Sequence, residues 1–92
     1  MEIIWTEKSL NSYLEIIDYL FENWTVNEIN ELEKQLEKLL ENIHQFQEFC
    51  PISKMPPYRK CVLNFHTSLV YLIHNHQIIL ITFLPNKSAH NF

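Results

Sequence analysis

Apolar residues recur along this chain in two periods, and the change of period divides it into a helical and a strand-forming part. Glu2-Ile3-Ile4-Trp5 is a short run with a β-branched pair, which predicts a first strand. Beyond Thr6, which can cap a helix, Leu10, Tyr13, Leu14, Ile17, Leu20, Phe21 and Trp24 follow at steps of three and four. That spacing predicts one apolar face of an amphipathic helix ending near Asn23, with Glu7 in the first turn, where the helix dipole favours an acid. Thr25-Val26-Asn27-Glu28 has the T-x-x-E form of a capping box and opens a second, longer helix. Its apolar face is Ile29, Leu32, Leu36, Leu39, Leu40, Ile43 and Phe46. Glu31, Glu33, Lys34, Glu37, Lys38 and Glu41 make its solvated side. The connection is so short that the helices should form an antiparallel hairpin.

Cys50-Pro51 should stop the second helix, and residues 52–57, with Lys54, Pro56 and Pro57, read as a loop. Residues 58–65, 69–74 and 77–84 then read as three strands. Asn75 is suited to the left-handed conformation of a tight hairpin turn in a chain that has no glycine. The prediction is one α+β domain over residues 1–92. An N-terminal strand and an α-helical hairpin precede a three-stranded antiparallel meander, and the hairpin packs on one face of a largely antiparallel four-stranded sheet. Ile78-Ile79-Leu80-Ile81-Thr82-Phe83-Leu84 is apolar on both alternate sets, and so is much of Leu69-Val70-Tyr71-Leu72-Ile73. A half-solvated sheet should have one polar set. The second face therefore needs a cover, either a partner protein or the chain's own tail.

Composition narrows the function. Seven Lys and Arg against eleven Asp and Glu leave a formal charge of −4, which argues against a broad nucleic-acid-binding stripe and against high-affinity binding of nucleic acid. Without glycine there is no Walker loop, no dinucleotide fingerprint and no nucleophile elbow, so no cofactor is expected. The two cysteines, Cys50 and Cys61, are spaced for neither a redox motif nor a zinc ribbon. The expectation is two reduced, small apolar side chains, with a disulfide as the alternative in an oxidising compartment. The N-terminus has neither a basic region nor a long apolar core, and no stretch is long enough to span a membrane. A cytoplasmic protein is expected. His74 and His76 form an H-x-H pair at a hairpin turn with no acid or cysteine beside them, so no metal site is expected. His44 and His66 read as structural.

Three local patterns give the chain a resemblance to the RelE/ParE superfamily, the toxins of bacterial type II toxin–antitoxin modules. They are Ile3-Ile4-Trp5-Thr6-Glu7 leading to Ile16-Ile17-Asp18-Tyr19-Leu20, then Tyr58-Arg59-Lys60-Cys61-Val62-Leu63, then Ser68-Leu69-Val70-Tyr71-Leu72-Ile73 followed by Ile78-Ile79-Leu80-Ile81-Thr82-Phe83. The resemblance covers essentially the whole chain. It implies a cognate antitoxin as partner, laid over the sheet and its rim, and leaves a homodimer open. RelE-like members cleave messenger RNA at the ribosome with a basic cluster and a C-terminal aromatic or histidine. ParE-like members resemble inhibitors of DNA gyrase and lack that cluster. Arg59, Lys87 and His90 are the residues that could serve catalysis here. Lys54, Arg59, Tyr71 and Lys87 are the candidates for contact with target or antitoxin. The acidic balance and thin basic set favour the ParE-like, plasmid-stabilisation type over the RelE-like one. A degenerate toxin that only binds its antitoxin is the third possibility.

Overall fold

A computed structural model describes all residues, Met1–Phe92. The elements are β1 (Glu2–Trp5), α1 (Glu7–Asn23), α2 (Val26–Gln45), β2 (Arg59–Val62), β3 (Thr67–His74) and β4 (Gln77–Pro85), closed by a 3-10 turn over Asn86–Asn91. The sheet order is β1-β4-β3-β2, with β1 parallel to β4 and the other pairs antiparallel. This is the α+β architecture expected from the sequence. Asn75 and His76 both have positive φ, at 50° and 59°, so the β3–β4 turn needs two left-handed residues where one was foreseen.

The helical hairpin packs on one face of the sheet. Ile16 and Leu20 of α1 and Leu32, Leu36, Leu39 and Ile43 of α2 meet Leu69, Tyr71, Ile78, Leu80 and Phe83. Leu80 and Phe83 are three apart and nevertheless share that face. Val70 pairs with Thr82 and Tyr71 with Leu80, which leaves Ile81 as the extra residue of a β-bulge. The bulge accounts for part of the two-sided apolar pattern of β4, because it moves a residue between faces.

Another part of that pattern, around Val70, is met by the tail. Val70 is fully buried, and Ala89 in the 3-10 turn is 2% exposed. Lys60, which pairs with Val70 and so shares its side of the sheet, donates from Nζ to the Ala89 carbonyl at 3.0 Å. Lys54 donates from Nζ to the His90 carbonyl at 2.9 Å and from its backbone N–H to the Phe92 carbonyl. The chain's own tail thus covers the second face around Val70, and that part of it has no room for a partner.

The buried side of α1 also differs from the expected one. Ser9 is fully buried, while Leu10, Leu14, Phe21 and Trp24 of the predicted apolar face are largely exposed. The reason lies at the edge of β4 beyond the end of β1. There Phe83 donates its N–H to Ser12 Oγ at 2.9 Å, and Thr6 Oγ1 donates to the Leu80 carbonyl at 2.8 Å. Small hydroxyl residues let the helix approach the strand backbone, so Thr6, Ser9 and Ser12 turn inward and the leucines are rotated away.

At the end of α2 the expectation of two reduced cysteines is overturned. The helix stops at Gln45, ahead of Cys50-Pro51, and Phe46 is exposed rather than part of the apolar face. The chain then turns back along β2, where Lys60 donates its N–H to the Pro51 carbonyl. This brings Cys50 and Cys61 to a Cα–Cα distance of 5.4 Å, and they form a disulfide. Sequence spacing could not show the reversal that makes them neighbours.

Candidate functional site

The alternation of β2 sends Arg59 and Lys60 to opposite faces, as the pleat requires. Arg59 lies on the helix side, partly buried, and its guanidinium donates to the Cys50 carbonyl at 2.8 Å. Opposite it on β3, Tyr71 is fully buried and donates its hydroxyl to the Gln47 carbonyl at 2.7 Å. Burial pushes the phenol pKa up, partly offset by the Cys50 N–H and the Arg59 charge. Tyr71 therefore has no surface to offer a target or antitoxin. Its role is to fasten the loop after α2, and the expectation of a contact residue is corrected on that ground.

Lys54 and His90 come together, but through backbone. The lysine ammonium is spent on the His90 carbonyl, and the His90 side chain is exposed. Arg59 lies on the helix side of the sheet and the tail that carries His90 on the other, so Arg59 does not join the tail residues named for catalysis.

Lys87, one turn of the 3-10 segment before His90, lines a cleft of about 410 Å3 between α1 and the ends of β3 and β4, with Ser12, Glu15, Tyr19, Phe65, His66 and Asn86. Its polar floor is built by local hydrogen bonds. Asn64 Oδ1 accepts the N–H groups of His66 and Thr67, and Asn86 ties Asn64 to Ser68. Within that frame the imidazole of His66 is fixed on two sides. Nδ1 lies 2.9 Å from Thr67 Oγ1, and the Tyr19 ring stacks on it with centroids 4.8 Å apart and planes at 16°. Phe65 meets it edge-on and Trp24 beyond.

Burial, then the Lys87 ammonium, holds the His66 pKa below the ordinary imidazole value of 6.5. The ring is neutral near pH 7, and Nε2 is left as the atom able to exchange a proton with a ligand. A neutral imidazole beside a lysine and a carboxylate can accept a proton while the lysine stabilises negative charge. Nothing in the sequence singled out His66, because its partners Tyr19, Thr67 and Lys87 reach it only through the fold.

Neither a protein-family model nor a curated protein matches this sequence. Solved structures share its fold. A copper-bound mutant toxin from Helicobacter pylori superposes with a TM-score of 0.67 at 16% identity, over 95% of this chain and 96% of that one. A conserved hypothetical protein from the same bacterium gives 0.62 at 21% identity over the same shares. At such identities the likeness establishes the fold and the order of its elements.

Proposed function

We propose that this chain is the toxin half of a type II toxin–antitoxin pair of the RelE/ParE superfamily, neutralised by a cognate antitoxin. The whole-chain likeness to a structure described as a toxin supports the general reading. Growth arrest would come from binding DNA gyrase, as in ParE-like members. The observation that carries this branch is the dispersal of the basic side chains. Arg59 bonds the Cys50 carbonyl, Lys54 and Lys60 bond tail carbonyls, and Lys87 stands alone at its cleft. Nuclease chemistry on RNA needs several cations converging on one phosphate. A binding toxin needs apolar surface, and Leu10, Leu14 and Phe21 supply a stripe of it along α1.

A second reading, ribosome-dependent cleavage of messenger RNA, is favoured by the neutral His66 beside Lys87. Induction in a bacterial host with parallel pulse labelling of DNA and protein synthesis separates the two. Early loss of DNA synthesis, with inhibition of supercoiling by purified protein, is expected. Early loss of protein synthesis instead would replace the gyrase reading with the nuclease.

A further inference from the structure

Hydrogen bonding in the cleft beside His66 separates the groups that build it from the groups it offers to a ligand. Ser12 Oγ donates to the Ser9 carbonyl and accepts the Phe83 N–H, and the Asn86 amide is engaged at both ends, by Ser68 and by Asn64. His66 Nδ1 is taken by Thr67 Oγ1. Four polar groups of the lining have no partner within the chain: the Glu15 carboxylate, the Lys87 ammonium, the Tyr19 hydroxyl and Nε2 of His66. The only ion pair of the molecule joins Lys34 to Glu31, so Glu15 and Lys87 face one cleft without reaching each other.

The two charges stand at different ends. The Lys87 ammonium acts on His66, and no carboxylate does. Glu15 lies one turn of α1 before Tyr19, whose ring stacks on the imidazole. Between the charges the floor is apolar. Ile16 and Phe83 are almost wholly buried there, and the Phe65 side chain on the rim is 64% exposed. A volume of about 410 Å3 is in the range of small-molecule sites. Each simpler ligand leaves something unmet. A plain anion is drawn to Lys87 but repelled by Glu15, and a plain cation the reverse. An uncharged apolar molecule would strip water from the polar groups and return no hydrogen bond. A nucleic acid carries repeated anions, and the next stretch along α1 offers Glu7 and Glu15 against a single cation, Lys8.

We propose that this cleft binds a small aminocarboxylate with a flat apolar body. Its carboxylate lies against Lys87 and accepts a hydrogen bond from Nε2 of His66, which that nitrogen supplies when the Thr67 hydroxyl donates to Nδ1. Its ammonium lies against Glu15, and its body covers Ile16 and Phe83 beside the Phe65 ring. The separation of Glu15 from Lys87 favours molecules whose two charges are held apart by a ring over those that carry both on one carbon. Leu10, Leu14 and Phe21, the stripe assigned to the target, are absent from the lining. The inference is therefore independent of the toxin reading, and its test involves no toxicity.

The probe is 4-(aminomethyl)benzoate, titrated into the isotope-labelled full chain and followed by NMR. Four controls run in parallel: 4-methylbenzoate and 4-methylbenzylamine, which keep the ring and one charge each, phenylalanine, and guanosine monophosphate. The expected result is saturable shifts at the His66, Asn86 and Lys87 amides, with the probe at least about fivefold tighter than any control. Lys87→Met should reduce the probe to the level of the amine, and Glu15→Gln to the level of the acid. Both residues are exposed, so the variants should keep the melting curve of the parent chain. A purely structural role for either residue would move the melting curve and leave the preference between acid and amine as it was. Equal binding of a singly charged control, tighter binding of phenylalanine or guanosine monophosphate, or no shift at millimolar probe would overturn the proposal.

Discussion

The hydroxyl of Thr6 donates to the Leu80 carbonyl at 2.8 Å while its oxygen accepts the Ser9 N–H at 3.0 Å. One side chain therefore caps α1 and occupies the carbonyl that opens the β4 bulge, at the point where β1 ends. Ser9 answers by donating to the Thr6 carbonyl, and Ser12 continues the line to the Phe83 N–H. Helix position and strand irregularity are fixed by the same residues. Thr6→Val keeps the shape and removes both side-chain bonds, while the Leu80 carbonyl keeps the Thr6 N–H at 3.4 Å, so the lost cap should cost about 1 kcal/mol. Thr6→Ser should cost much less. Urea denaturation of the two variants checks the order, and equal losses would show that shape rather than hydrogen bonding governs the site.

The Cys50–Cys61 disulfide closes a loop of sequence separation 11 and is almost wholly buried. Chain entropy assigns to a loop of that size about 3 kcal/mol. Replacing both cysteines by alanine should lower the unfolding free energy by about that amount and leave the helical content unchanged. Burial should also make the native disulfide slow to open in a reducing buffer until the loop after α2 unfolds. Thiol labelling in the presence of a dithiol, followed over increasing urea, measures this. Rapid labelling without urea would contradict it.

His66 is held neutral in the folded state by burial and by Lys87. Its folded pKa lies below the unfolded value near 6.5, so between the two the unfolded chain binds the extra proton. The contribution of His66 is thus fully present above about pH 6.5 and is lost as pH falls from there through the folded value. His66→Gln should flatten that part of the stability profile. Lys87→Ala should raise the imidazole pKa, which a proton NMR titration reads directly. An unchanged titration curve would remove Lys87 from the site.

Arg59 and Lys87, grouped together by the sequence, should separate under mutation. Arg59→Ala strips a charged donor from the Cys50 carbonyl and should destabilise the chain by about 1–3 kcal/mol. Lys87→Ala, at an exposed position, should change stability by less than about 0.5 kcal/mol and reduce growth arrest if the His66 cleft meets the target. Melting curves combined with a growth assay resolve the two. Loss of growth arrest in Arg59→Ala without loss of stability would return Arg59 to a direct role.

Tyr13 records the same division between local pattern and packing. Its place at helical spacing marked it for the interior. Its contact with Trp5 and Phe83, and the rise of its pKa to about 12 by burial and then by Glu33, belong to the assembled molecule. The capping box at Thr25 was legible because both partners lie within one turn. The N–H and hydroxyl of Thr25 donate to the Glu28 carboxylate and hold its pKa down.

Periodicity, capping and turn residues by themselves determined the number, type and order of the elements. These signals act between residues a few positions apart, and the chain carries them wherever it goes. Tertiary structure alone decided which side of α1 turns inward, because a strand edge that accepts serine hydroxyls favours close approach over leucine burial. It also decided that Cys50 meets Cys61, that the tail covers Val70, and that His66 stands beside Lys87. Each of these depends on residues distant in sequence being brought within a few ångströms, and neither spacing nor composition encodes such distances.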